Sequence, residues 1–195
     1  MKYQSSITEE EIKLLPRREF NGEIYLIDTF KKLDMALPLL EDKEILGFDT
    51  ETRPSFKKGP NNDIALLQLA TSDEAFLFRI NYIGLPEPLK RLFEDEAVLK
   101  IGLALKDDLI GLKRFEDFAP TSFIDLQDLA KELSIQNNGL KKLAAIFLNF
   151  RVSKSRSQRL SNWERDILTP RQVKYAATDA WVCYELYCVM KDLQG

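Results

Sequence analysis

The chain has 195 residues, 45% of them hydrophobic and 30% charged, with a net charge of −3. This is the balance of one ordinary globular domain, and no apolar run approaches the roughly 18–20 residues that span a bilayer. It contains no histidine, which excludes Ser-His and Cys-His nucleophiles, histidine bases and ordinary zinc sites.

The first residues, M-K-Y-Q-S-S-I-T-E-E-E, are polar and acidic, unlike a signal peptide. Thr8 and Glu11 have capping-box spacing, and Pro16 should stop the short helix they begin. Residues 22–28 are β-rich and predict a strand. Leu33, Leu37 and Leu40 predict a helix over 30–40, blurred by Pro38. An apolar strand over 45–51 ends in Asp49 and Glu51. Residues 53–62 carry the Pro, Gly and Asn of a loop. Residues 63–70 and 75–80 predict a hairpin closed by T-S-D-E.

Further along, 86–93 predicts a helix, 98–103 a strand, 107–115 a helix and 122–126 a short strand. Helices to about 133 and over 139–148 follow. Residues 150–160, F-R-V-S-K-S-R-S-Q-R-L, have no period and no acid, and predict a mobile arm. Thr169-Pro170-Arg171-Gln172 starts a long helix to about 192, with N-cap threonine and N1 proline. In that helix Cys183 and Cys188 would point about 140° apart, so no bridge is expected, in keeping with a reducing, cytoplasmic location. Strands interleaved with helices predict an α/β fold, a central mixed sheet flanked by helices. Residues 1–21 are expected to be an extension packing on a single domain over 22–195.

The acids carry the chemistry. Residues two apart on a strand share a face, so Asp49 and Glu51 point the same way, an arrangement a cation would relieve. Asp107 and Asp108 follow a strand; alone they read as first-turn acids favoured by a helix dipole. Tyr175 and Asp179 are four apart and share a helical face, and Ala176 and Ala177 between them would let that helix lie close to a sheet. With no histidine, any metal must be held by oxygen, which suits Mg²⁺ or Mn²⁺.

Taken in order, F-D-T-E, I-G-L-A-L-K-D-D and Y-A-A-T-D resemble the three motifs of the DEDD 3′–5′ exonucleases. The tyrosine makes the chain similar to the DEDDy branch, as in ribonuclease D and the exonuclease domain of the Werner syndrome helicase. The likeness extends over residues 22–190 and includes I-A-L-L-Q-L-A, L-K-K-L-A and S-N-W. It implies an RNase H-like (DnaQ-like) fold with two divalent cations. By that resemblance Asp49 is the bridging ligand, Glu51 and Asp179 complete the first ion's shell, Asp108 acts through water on the second, and Tyr175 holds the attacking water or a phosphate oxygen. Counting from Ile101-Gly102 selects Asp108 over Asp107. Where such relatives have an aromatic residue after the glutamate, this chain has Thr52.

The implied activity is hydrolysis of phosphodiesters at DNA 3′ ends by two metal ions, releasing nucleoside monophosphates. The alternatives are an exoribonuclease of the ribonuclease D kind and a nucleic-acid-binding module that does not cut. Processivity and substrate targeting are expected to come from partners, such as a separate helicase or other DNA-processing protein, or to be absent; no membrane partner is expected. Between Arg151 and Tyr175 seven basic residues face two acids, +5, leaving −8 for the rest of the chain. A nucleic-acid groove on an acidic body has this asymmetry, and so has a solvated basic loop. Arg151, Lys154, Arg156 and Arg159, with Lys57 and Lys58 beyond the carboxylate pair, are the candidate strand contacts. Trp163 reads as a core anchor or a stacking platform, Gln68 as a backbone tie near the site or a strand-surface residue.

Overall fold

The structure, a computed structural model, describes residues 3–54, 62–152 and 156–193. Helix α1 (Glu9–Leu14) opens on the capping box of Thr8 and Glu11. Strand β1 (Glu23–Ile27) and helix α2 (Phe30–Leu40) follow, with Pro38 inside the helix's last turn, where its missing N–H removes one hydrogen bond. Strand β2 (Ile45–Thr52) carries the paired carboxylates. Strands β3 (Ile64–Ala70) and β4 (Glu74–Phe78) form the expected hairpin, with Thr71 N–H bonded to Glu74 O at 2.8 Å.

The hairpin's second strand stops earlier than expected. Arg79 donates its backbone N–H to Ile27 O at 2.8 Å, and the one-turn helix α3 (Ile80–Ile83) starts there. Then come α4 (Glu87–Glu94), β5 (Leu99–Gly102), α5 (Lys106–Leu112), β6 (Phe123–Asp125), α6 (Leu126–Glu132) and α7 (Leu140–Leu148). A single turn, α8 (Arg156–Arg159), precedes α9 (Pro170–Met190), whose N-terminus is the capping box of Thr169 and Gln172.

The six strands lie in the order β1-β4-β3-β2-β5-β6. Strand β3 is antiparallel to β2 and β4, and the other pairs are parallel. The mixed α/β sheet is therefore as the strand and helix alternation predicts. All seven residues of β3 are buried, as a central strand covered on both faces requires. On one face Phe48, Leu67, Leu69 and Phe76 join Leu33 of α2, Phe93 of α4 and Leu112 of α5. On the other, Ile101 joins Leu126, Leu143, Val182 and Leu186 of α6, α7 and α9. Each such side chain contributes about 1.5–3 kcal/mol, so two helical layers clamp the sheet.

Residues 150–152, the start of the expected arm, are tied down, while 153–155 lie outside the described residues. Phe150 and Val152 are buried, and Phe150 stacks on Trp181 with ring centroids 5.6 Å apart. Arg151 N–H bonds to Pro16 O at 2.9 Å, and Arg18 N–H to Arg151 O at 3.0 Å. Residues 150–152 thus tie the N-terminal segment to α9. That segment is held further by Phe20 N–H on Thr178 Oγ1 (3.1 Å) and Lys174 Nζ on Phe20 O (2.8 Å).

Candidate active site

The site is built where α9 crosses β2. Gly47 is the reason the two approach so closely: a Cβ there would lie 1.9 Å from Ala180 O and 2.8 Å from Tyr184 N. Residue 47 shares its strand face with Asp49 and Glu51, so the helix rests on the face that carries both carboxylates. Ala176, Ala177 and Ala180 are fully buried under α9, as small residues at a close helix–sheet contact should be. Asp179 sits among them and is buried, whereas Asp49 and Glu51 are half-buried.

The result is a convergence of three acids. One carboxylate oxygen from each of Asp49, Glu51 and Asp179 lies within 4.8 Å of the others. Asp49 Oδ1 also accepts the N–H of Thr50 at 2.9 Å. Three converging carboxylates are a hard, oxygen-only donor set, the kind that suits Mg²⁺ or Mn²⁺. The strand bulges between Glu51 and Thr52, so regular pairing ends just past the pair, and Thr52 is exposed.

Asp108 is outside this trio and is joined instead to Thr50, the residue between the two β2 carboxylates. It stands in the first turn of α5, half-buried, with Oδ1 accepting the hydroxyl of Thr50. Burial pushes its carboxyl up to about 6; the Thr50 bond opposes the rise, and the charges of Asp107 and Asp125 add to it. Its neighbour Asp107 is exposed. The turn into α5 is unusual: Ala104 has a φ of 60°, uncommon for a residue with a Cβ. It is held by Asp125, whose two carboxylate oxygens accept the N–H groups of Ala104 and Leu105 at 3.0 Å each. Asp125 Oδ1 also caps α6 through Gln127 N–H at 2.9 Å.

Tyr175, one helical turn before Asp179, is buried, with its ring 6.0 Å from that of Trp163. Trp163 is fully buried and so serves as a core anchor. The loop ahead of α9 is held by a residue that sequence reasoning missed. Arg79 is 1% exposed, and its guanidinium donates to Arg165 O (2.7 Å) and Asp166 O (3.2 Å). Thr50 and Asp125 were missed as well. Thr50 sits inside F-D-T-E, but only the packing of α5 against β2 reveals its bond; nothing in the sequence marks Asp125 or Arg79.

Beside Tyr175 opens a cleft of about 620 Å³, whose lining includes Arg17, Glu19, Ser157, Arg171, Lys174 and Thr178. Of the expected strand contacts, Lys57, Lys58 and Lys154 lie outside the described residues, as do the side chains of Arg156 and Arg159. Arg151 is half-buried, and its Nε donates to Leu15 O at 3.0 Å, so this edge of its guanidinium serves the tie to the N-terminal segment.

A family model described as 3′-5′ exonuclease matches residues 24–193. The mouse bifunctional 3′-5′ exonuclease/ATP-dependent helicase WRN is 33% identical over 193 residues, covering 94% of this chain; the chain spans 14% of that protein's length. The solved EXO domain of Aedes aegypti Nibbler is 25% identical with a TM-score of 0.78, covering 90% of this chain and 91% of that one. Trypanosoma brucei RNase D in complex with RNA U12 shares the fold at a TM-score of 0.75 and 17% identity, covering 96% of this chain and 66% of that one. The fold is RNase H-like, and no helix among the described residues is long and apolar enough to cross a membrane. With a family match over nearly its whole length and three acids converging where β2 meets α9, the chain belongs to the 3′-5′ exonuclease family.

Proposed function

We propose that the chain is a metal-dependent enzyme that hydrolyses phosphodiester bonds one nucleotide at a time from DNA 3′ ends, releasing nucleoside monophosphates. The observation that carries this reading is the convergence of Asp49, Glu51 and Asp179; Asp108 is bonded to Thr50, which lies between Asp49 and Glu51 in the chain. Two divalent ions bound there would supply an activated water, charge relief at phosphorus and stabilisation of the leaving 3′-oxygen. Asp49 would face both ions, Glu51 and Asp179 the first, and Asp108 the second through water. Tyr175 would orient the water or a phosphate oxygen through its hydroxyl, which both donates and accepts hydrogen bonds.

The cleft beside Tyr175 supports a path for the strand. Arg171 lines it, beside Arg17, which pairs with Glu19 at 3.4 Å, and Lys174, whose Nζ also holds Phe20 O; cations of this kind hold phosphates without reading bases. Lys57, Lys58, Lys154, Arg156 and Arg159 would extend the basic track, with processivity supplied by partners such as a helicase. The same site acting on RNA 3′ ends is the second reading, favoured by the fold neighbour bound to RNA U12. The DNA reading rests on the greater identity to a relative that joins its exonuclease to a helicase.

The test is incubation of 5′-labelled DNA and RNA strands side by side with Mg²⁺ or Mn²⁺. Stepwise shortening from the 3′ end is expected, faster on DNA. A folded protein that shortens neither strand refutes the enzyme, and one that shortens RNA alone selects the second reading.

A further inference from the structure

Among the described residues Gln68 is a fully buried side chain on the β3 face toward α9 in which both polar atoms are unsatisfied; the other fully buried orphan near the site, Trp163, leaves a single N–H. Gln68 is 0% exposed, and neither Oε1 nor Nε2 has a hydrogen-bond partner among the described residues. A buried amide in this state carries its full desolvation penalty, and such groups in native folds call for a reason.

Its position supplies one. Gln68 lies at the centre of β3, directly opposite Asp49 of β2 and Leu77 of β4. Opposite residues on one face of an antiparallel pair bring their Cβ atoms to about 4.5–5.5 Å. Its same-face neighbours on β3 are Leu66, which clusters with Tyr175 and Ala176, and Ala70, which clusters with Ala177 and Ala180. Gln68 is therefore enclosed beneath the turn of α9 that bears Asp179. Leu77 walls it on one side and the carboxylate trio lies on the other.

We infer that Gln68 is a positioning residue for the metal-binding carboxylates: its Nε2–H donates to the side of the Asp49 carboxylate turned away from bound cations. Carboxylates that ligate metals are themselves held by such bonds, and loss of the partner weakens metal affinity or activity about 10–100-fold. The inference rests on the metal reading above. The amide's cost to the metal-free fold is offset only when the ions draw the carboxylates into a fixed arrangement.

The test compares parent and Gln68→Met, a side chain of similar length without polar atoms. Melting is followed first in chelator and then across a Mn²⁺ titration, alongside the rate of 3′-end shortening. The variant should melt at or above the parent in chelator. Its Mn²⁺ midpoint should rise about 10–100-fold, with kcat falling and KM for the strand little changed. An unchanged Mn²⁺ midpoint overturns the inference. So does a variant that melts well below the parent in chelator or fails to fold, because the amide would then hold the fold and not the ions. A parent that takes up no Mn²⁺ overturns both this inference and the metal reading; a parent that responds while the variant matches it overturns this inference alone.

Discussion

Asp49, Glu51 and Asp179 ride on backbone held by apolar packing, while Asp108 rides on backbone held by polar bonds. The first three come from β2 and α9, pressed together at Gly47 and over a floor of alanines. Asp108 comes from α5, entered through the positive-φ Ala104 and tied by Asp125 and Thr50. Packing of the first kind resists displacement because shifting it opens or overfills the core. Bonds of the second kind fix the direction of the turn into α5, a short helix whose first-turn residues Lys106 and Asp107 are exposed while Leu105 and Leu112 anchor it in the core. The lesson is that one half of the site should fail through the fold and the other half through geometry alone.

The largest expected effect probes the shared chemistry. Asp49→Ala should lower the rate of 3′-end shortening by about 10³-fold or more, with circular dichroism unchanged and melting in chelator no lower, since one of three repelling carboxylates is gone. A variant that keeps its rate would remove Asp49 from the site. Next, Gly47→Val should break the packed half. Its branched side chain meets Ala180 O, and urea unfolding should show a loss of about 3 kcal/mol or more, with activity lost in step.

Asp125→Ala should break the other half without that cost to the core. It removes the acceptor for three backbone N–H groups, so kcat should fall about 10–100-fold while the urea transition moves far less than for Gly47→Val. If Asp125→Ala instead unfolds the chain, the contrast between the two halves is wrong.

The smallest effect concerns Lys100 on β5, the strand that leads to α5. It is fully buried, its Nζ donates to Asp95 O at 2.8 Å, and burial lowers its pKa to about 8, with the Asp95 charge opposing. The folded chain thus loses this proton before the unfolded chain does. Where the unfolded state binds more protons, stability rises with pH. The group should therefore destabilise fully below about pH 8 and add about 1 kcal/mol of stability between pH 7 and pH 9. Urea unfolding of Lys100→Met across that range should lack this increment relative to the parent. An identical slope in both chains would place the ammonium in water.

Much of this was legible in advance because it depends on local spacing. The period of two put Asp49 and Glu51 on one face, and the period of 3.6 put Tyr175 over Asp179. The capping boxes at Thr8 and Thr169 lie within four residues, so both helix starts are written in the chain. The family resemblance distinguished Asp108 from Asp107, which composition could not. The tie made by Arg151 was not legible, because an arginine in a basic run has the same local signature whether it faces solvent or a carbonyl. Its partner Leu15 is 136 residues away, and the parallel bridge between Arg17 and Arg151 leaves no local pattern.

By itself the sequence determined which side chains could do the chemistry: carboxylates without histidine, two on a strand and one on a helix with a tyrosine a turn away. Only the tertiary structure decided what those side chains lean on. The order β1-β4-β3-β2-β5-β6 sets Gln68 against Asp49 and brings the end of β6, with Asp125, beside the turn into α5. Strand register and helix approach are settled by burial summed over the whole core, and no short stretch of sequence carries that sum.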